Sequence, residues 1–249
     1  MKEFHKTALD SLWNALSHGR SKRNIDDQFA WILLMLLWAK WIPQTTKEFI
    51  GYFDSLESIN FNSTYLVKEI SRRIDLDLSE ICETNKYKIL EGSELEELRN
   101  ILMPAARLVA KDDIENIDFI IREIYFLKSK VCSRNGAEWI TDPFVYKIAN
   151  DIFRSKKIKT LGCLYPLGSG LAPLFASENK TSLMDVKSPC ITWPKAYIKL
   201  YGASINQEIL NTDSRPDAIF SAPPWNQRTN DIYDIWSPIN EEEQVEVSK

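Results

Sequence analysis

The second half of this chain alternates helical patterns with short apolar runs, and this alternation constrains the fold more than any other feature. Apolar residues at three- and four-residue spacing predict helices, whereas short apolar runs bounded by turn residues predict strands. In chain order the pattern predicts a helix over 144–153, a strand over 158–164, a short helix over 171–179, a strand over 183–186, a helix over 195–201, and strands over 208–210 and 218–221. Such alternation is typical of an α/β fold with a parallel sheet, whose ligand sites lie beyond the carboxyl ends of the strands.

Two of the predicted strands run into residues that suit a cofactor. Gly168, Ser169 and Gly170 follow the strand over 158–164. Glycines at such a turn let the backbone bend sharply and approach a ligand closely. Asp185 lies near the end of the next predicted strand, where a carboxylate can accept a hydrogen bond from a ribose hydroxyl. A Gly-Ser-Gly turn alone also fits an ordinary loop, so the prediction depends on the two features in this order.

The last predicted strand leads into Ala222, Pro223, Pro224 and Trp225. Two adjacent prolines stiffen the backbone, so a carbonyl in the Pro223 region stays aimed at a bound group. An acceptor aimed at the N–H groups of an exocyclic amine exposes the nitrogen lone pair to an electrophilic methyl group. The Trp225 ring can stack on a base that has been swung out of a duplex. The alternative is that this sequence only ends a strand and that Trp225 packs in a core.

The first half of the chain is predicted to be helical. An apolar run over 29–38 predicts a buried helix that starts near Asn24 or Asp26 and ends before Pro43. The run is well below the roughly 20 residues that a membrane span needs. Its tryptophans share one helical face, which indicates a core or a subunit interface: Trp31, Trp38 and Trp41. The same periodicity predicts further helices over 66–74, 94–109 and 117–127.

We place a domain boundary near Asn135 and Gly136, after the last predicted helix of the first half. The predicted units are a helical domain over 1–135 and an α/β domain over 136–249. The chain has 249 residues, which is enough for one large domain or two smaller ones, and its 44% hydrophobic and 27% charged residues are typical of a globular protein.

The net charge and the cysteines limit which partners and which kinds of site we expect. A formal net charge of −4 argues against strong non-specific attraction to DNA phosphates, so a role on DNA requires a local basic patch or a partner. Arg20, Lys22 and Arg23 form a candidate cluster, which also fits a solvated loop. The four cysteines are far apart, so we expect neither a metal site nor a disulfide framework. The absence of a targeting pattern leads us to expect a reducing cytoplasm.

These motifs resemble those of the N6-adenine DNA methyltransferases that serve as modification subunits of type I restriction-modification systems. Residues 136–143 are similar to the segment that leads into the first helix of the family's catalytic domain. Residues 164–170 lie where the family has its S-adenosylmethionine loop, and Asp185 matches its ribose-binding acid. Either Asn211 or Asp213 lies where the family contacts the adenine of the cofactor. Residues 12–16 and 24–29, followed by the apolar helix, resemble the family's N-terminal helical domain.

The resemblance implies an N-terminal helical domain followed by a partial Rossmann-like S-adenosylmethionine-dependent methyltransferase domain. It implies S-adenosylmethionine as cofactor, and DNA, a specificity subunit and a restriction subunit as partners. The implied cofactor-binding residues are Gly168, Ser169, Gly170, Asp185 and Asp213, and the implied catalytic residues are Ala222, Pro223, Pro224 and Trp225. Neither a metal nor a membrane is implied.

The chain also departs from the family's pattern. Leu164 and Tyr165 replace the Asp and Pro that open the cofactor loop, and Ala222 replaces the amide, carboxylate or hydroxyl that holds the target amine. The apolar side chains of Leu164 and Ala222 cannot accept a hydrogen bond. Only a short, acidic stretch follows Trp225, which implies a shortened member of the family. Two alternatives to an active enzyme therefore stay open: a catalytically degenerate relative that binds DNA or a partner, and an unrelated α/β protein with coincidental motifs.

Overall fold

A computed structural model describes residues 2–18, 25–42, 62–79, 81–82, 90–132, 143–164, 172–176, 180–184, 188–204 and 215–221. The helices are α1 Glu3–His18, α2 Ile25–Trp41, α3 Ser63–Ile74, α4 Gly92–Val109, α5 Ile114–Cys132, α6 Pro143–Ser155, α7 Ala172–Ala176 and α8 Ser188–Ile198, which continues into a 3-10 helix, Lys199–Ser204. The strands are β1 Thr160–Leu164, β2 Lys180–Met184 and β3 Ala218–Ser221. The protein is thus mostly helical with a small parallel sheet, which confirms the α/β prediction at this coarse level.

Helix α2 is the centre of the helical half. Residues 29–38 are all buried, and α2 packs against α1, α3, α4 and α5. A helix that is apolar on every side is stable only when other elements surround it. Trp31 and Trp38 lie in this core and Trp41 is partly buried against it, so the predicted core role of this tryptophan face is confirmed.

The three strands form a parallel sheet in the order β2-β1-β3. Strand β1 is central, and one of its faces carries the buried side chains of Leu161 and Cys163. On β3 the partly buried Phe220 pairs with Cys163, and its ring lies 4.9 Å from that of Phe175 on α7. The Tyr146 ring of α6 contacts the same Phe175 ring in a tilted arrangement, with 5.3 Å between the centroids. These aromatic contacts hold α6 and α7 on one face of the sheet.

The observed elements differ from the predicted ones at several boundaries, and two of these differences have a clear physical reason. Strand β2 begins at Lys180, earlier than the predicted 183, because pairing with β1 recruits polar residues that carry no apolar signal, such as Thr181 opposite Leu161. Helix α8 begins at Ser188, earlier than the predicted 195, and contains Pro194. Proline normally ends a helix, but burial of Pro194 among core residues offsets the lost backbone hydrogen bond. The predicted strand over 208–210 lies outside the described residues.

The two halves of the chain share one hydrophobic core. The Trp41 side chain of α2 donates a hydrogen bond from Nε1 to the carbonyl oxygen of Lys199, at 2.9 Å. The Tyr201 hydroxyl donates to the Asp118 carboxylate of α5. Contacts therefore cross the predicted boundary at residues 135 and 136, and the assignment of two separate domains stays a prediction.

Gly202 lies at this junction, close to Lys40 of α2. Its φ of 58° and ψ of −129° place it in a region that side-chain-bearing residues rarely adopt. A Cβ atom there would lie 2.6 Å from Cε of Lys40. The Lys40 ammonium in turn donates to the carbonyl oxygen of Val109 at 3.0 Å and pairs with the Asp112 carboxylate.

We expect Gly202→Ala to lower the free energy of unfolding by about 1–3 kcal/mol, because it combines backbone strain with displacement of Lys40. Urea unfolding followed by circular dichroism measures the change. Gly92→Ala is the matched control. Gly92 is the first residue of α4 and does not have a positive φ, because Gly202 is the one glycine with positive φ in the described ranges. Equal stability of the two variants would contradict the assignment of strain to Gly202.

Candidate functional site

The carboxyl ends of the three strands lie side by side. Leu164, the last residue of β1, is in register with Met184 of β2 and with Ser221 of β3. These residues are bonded directly to Tyr165, Asp185 and Ala222. The three segments that carry the predicted site therefore leave the sheet at one level, on adjacent strands.

The predicted site side chains themselves lie outside the described residues. They are Gly168, Ser169, Gly170, Asp185, Asn211, Asp213, Ala222, Pro223, Pro224 and Trp225. The structure thus places the strand ends that precede three of these segments side by side. The distances between the side chains of the predicted site stay untested. The segment over 136–142, which precedes α6, is also outside the described part.

The strand order places a topological switch point beside β1. From β1 the chain passes through α7 to β2 on one side, and later returns to β3 on the other side. In open parallel sheets, ligands bind in the crevice beyond the carboxyl ends of the strands where the order reverses. Here the order reverses between β1 and β3, the two strands that precede residues 165–170 and the Pro-Pro-Trp segment.

The amino ends of β1 and β3 are clamped by Asp217. Its Oδ2 accepts hydrogen bonds from the backbone N–H groups of Lys159 at 3.1 Å and Thr160 at 3.0 Å. Its own N–H donates to the Oγ1 of Thr160 at 2.9 Å and to the Thr160 carbonyl oxygen at 3.0 Å. These contacts set the register in which Leu164 meets Ser221 at the opposite end.

The Asp217 clamp predicts a specific pH dependence. The hydrogen bonds from the backbone of Lys159 and then of Thr160 lower the pKa of Asp217 below its ordinary value of 3.8. A depressed pKa in the folded state stabilises the fold above the unfolded-state pKa, and this contribution disappears as the pH falls through the folded-state pKa. We therefore expect the stability difference between the natural chain and Asp217→Asn to shrink as the pH falls below 3.8. Urea titrations over a pH series measure it, and a difference that does not change with pH would contradict the clamp.

Ser221 is a polar residue at the carboxyl edge that the motif analysis missed. It is the last residue of β3, is exposed, and directly precedes Ala222. A hydroxyl can both donate and accept a hydrogen bond. The signal in the sequence was its position one residue before the predicted site.

A basic cluster at the other end of the sheet was also missed. Arg154, Lys156, Lys157 and Lys159 lie at the end of α6 and in the link to β1, and all are exposed. Four cations within six residues are visible in the sequence. The predicted cluster of Arg20, Lys22 and Arg23 lies outside the described residues. Because Arg154–Lys159 precedes β1, it belongs to the amino edge of the sheet, away from the strand ends that carry the predicted site.

A cavity of about 290 Å³ lies in the helical half, between α2 and α4. Its lining is mainly apolar and includes Met35 and Trp38 of α2 and Met103 of α4. The guanidinium of Arg99 lies over the Trp38 ring, 5.4 Å from its centroid. None of the predicted site residues lines this cavity.

Two of the cysteines are described in detail. Cys82 and Cys163 are buried free thiols, and burial raises the pKa of each to about 12. Such thiols stay protonated near neutral pH and are poor nucleophiles. Within the described ranges, no group of His, Cys, Asp or Glu side chains is arranged to hold a metal ion. No helix in the part of the chain that the structure covers is long and apolar enough to cross a bilayer.

The edge of the sheet is therefore the place where strand order, register and sequence motifs coincide. The resemblance noted above depends on these short motifs alone. Comparison with models of protein families, with curated proteins and with solved structures finds no match for this chain.

Proposed function

We propose that residues 136–249 form a partial Rossmann-like domain that binds S-adenosylmethionine and serves N6-adenine methylation of DNA. The observation that carries the proposal is the common register of Leu164, Met184 and Ser221 on adjacent parallel strands. Because of this register, the segments with the two glycines, the acidic residue and the Pro-Pro-Trp sequence all begin at the same edge of the sheet. The point where the strand order reverses lies at this edge.

The proposed cofactor-binding residues follow the order of the motifs. Gly168 and Gly170 shape the turn around the cofactor, Ser169 lies between them, and Asp185 accepts hydrogen bonds from the ribose. Asn211 or Asp213 contacts the adenine of the cofactor. These roles rest on the order of the motifs and on the strand ends that precede them.

In this proposal, the Pro-Pro-Trp segment holds the adenine that receives the methyl group. A carbonyl in the Pro223 region accepts a hydrogen bond from the adenine amine, and Pro224 keeps that carbonyl fixed. The Trp225 ring stacks on the flipped base. The helical half, residues 1–135, then grips DNA or packs against a specificity subunit in a cytoplasmic complex that can include a restriction subunit.

A second candidate is a catalytically degenerate relative whose remaining role is to bind DNA or a partner. The observation that favours it is the identity of two residues at the edge. Leu164 ends β1 at the point where the resembled family has an acid, and Ala222 follows β3 where the family has a polar side chain. The side chains of both residues lack an atom that can accept a hydrogen bond.

Titration of the purified chain with S-adenosylmethionine by calorimetry tests the proposal without a DNA target. We expect saturable one-to-one binding, and Asp185→Ala is expected to weaken it about 10- to 100-fold because a hydrogen bond to a charged acceptor is lost. Asp10→Ala on the exposed face of α1 is the matched control. Absence of binding by a folded sample would reject the cofactor site and leave only the helical half as a candidate binding module.

A further inference from the structure

Helix α6 has one apolar face on the sheet and a second apolar face in solvent. Tyr146 and Phe153 contact Phe175, with ring centroids 5.3 and 5.4 Å apart. On the other side, Phe144, Ile148 and Ile152 follow one another at four-residue spacing and are 64%, 49% and 52% exposed. Residues four apart form a continuous stripe on a helix, and exposed apolar stripes of this kind mark docking surfaces.

Basic residues follow the exposed apolar stripe along the chain. Arg154, Lys156, Lys157 and Lys159 follow Ile152 and are all exposed. We call the stripe and these cations together the α6 surface. From the first turn of α6 toward β1, the α6 surface changes from apolar to basic.

The residues after β3 have a complementary pattern in the same order. Ile232, Ile235, Trp236 and Ile239 are apolar at three- and four-residue spacing. An acidic run follows them: Glu241, Glu242, Glu243 and Glu246. Going along the chain from Ser221, apolar residues therefore come first and acidic residues second.

The two patterns also match in direction. Residues 156–159 link α6 to β1, so the basic end of the α6 surface belongs to the amino edge of the sheet. Tyr146, in the first turn of α6, reaches Phe220 of β3 through Phe175, with centroid distances of 5.3 and 4.9 Å. A chain that leaves Ser221 at the carboxyl edge thus meets the apolar part of the surface first.

The length of chain is sufficient. Helix α6 has 13 residues and is about 20 Å long at 1.5 Å per residue. The ten residues from 222 to 231 can span up to about 33 Å, so Ile232 can reach the stripe from the end of β3. Covalent attachment also gives the segment an effective concentration on the order of millimolar, which favours it over a separate partner.

We infer that residues 230–246 dock on the α6 surface of their own chain. The apolar side chains of the segment cover Phe144, Ile148 and Ile152, and its glutamates pair with Lys156, Lys157 and Lys159. This intramolecular contact does not depend on cofactor binding or methyl transfer.

Carbodiimide cross-linking of the full chain tests the contact directly, because it joins carboxylates to lysines that form ion pairs. We expect cross-links from the acidic run to Lys156, Lys157 or Lys159. The reaction is run on a mixture of isotopically labelled and unlabelled chains. Cross-links within one isotope class support the inference, whereas mixed-isotope cross-links would assign the α6 surface to a second copy and overturn it.

A charge-swap series provides the matched control. Glu241→Lys, Glu242→Lys and Glu243→Lys together are expected to speed hydrogen exchange of α6 amides about tenfold, the effect of losing three exposed pairs. Lys156→Glu, Lys157→Glu and Lys159→Glu together should do the same. The chain that carries both sets should regain slow exchange. Unchanged exchange in the single sets, or no recovery in the combined chain, would overturn the inference. The three substituted lysines are exposed in the link between α6 and β1, so their replacement removes no buried contact.

Discussion

Ala222→Asn is expected to raise the rate of methyl transfer from S-adenosylmethionine to adenine in DNA about 100-fold over the natural chain. A single preorganised hydrogen-bonding group that acts on the reacting centre is typically worth about 10²–10³ in rate. Ala222 follows Ser221, the last residue of β3, which is in register with the end of β1, so the segment that carries this position starts beside the start of the proposed cofactor turn. Incorporation of labelled methyl groups into DNA of mixed sequence measures the rate.

The matched control for this prediction is Ala222→Val, which adds bulk without an acceptor. It should leave the rate at the level of the natural chain. Leu164→Asp is a second variant that restores the acid at the end of β1 and is read out by S-adenosylmethionine affinity. If the asparagine and valine variants show the same rate while cofactor binding is intact, the missing acceptor at Ala222 is not what limits the chemistry.

Trp31→Ala is expected to lower the free energy of unfolding by about 3–5 kcal/mol, the usual cost of deleting a large buried side chain. Trp31 is 1% exposed at the centre of α2, where four helices surround it. Its indole Nε1 is buried without a hydrogen-bond partner among the described residues, so removing the ring also relieves an unsatisfied donor. That relief is about 1–3 kcal/mol at most, and the lost packing outweighs it.

Two further variants separate these contributions. Trp31→Phe removes the donor with a small loss of volume and should stay within about 1.5 kcal/mol of the natural chain. Trp13→Ala removes a tryptophan that is 39% exposed on α1 and should cost less than about 1 kcal/mol. Urea unfolding followed by circular dichroism gives all three values. A Trp13→Ala loss as large as that of Trp31→Ala would mean that α2 is not the centre of the core.

Helical periodicity predicted most of the helices because it reports burial directly. The residues 29–38 have no polar face, so only a helix surrounded by others can bury them, and α2 has this position. The strands β1 and β3 were also predicted, since both are apolar and end before turn residues. The start of β2 at Lys180 was not predicted, because its polar residues join the sheet through backbone pairing with β1.

The candidate site, like the fold, was predicted only in part from the sequence. Motif order alone pointed to Gly168, Asp185 and Ala222, since each lies near or just after the end of a predicted strand. The sequence contained no information on strand order, and therefore none on which strand ends are neighbours. The structure supplied that order, and it also revealed Ser221 and the exposed stripe of α6.

The sequence by itself determined the elements of this protein: the buried helix, the α/β alternation and the residues that follow each strand. Those properties are local, because side-chain periodicity and turn chemistry act within a few residues. Only the tertiary structure decided that β2 and β3 flank β1, that Leu164, Met184 and Ser221 share one level, and that the apolar stripe of α6 faces away from the sheet. Pairing between distant strands and packing between distant helices depend on the whole chain, so no local pattern specifies them.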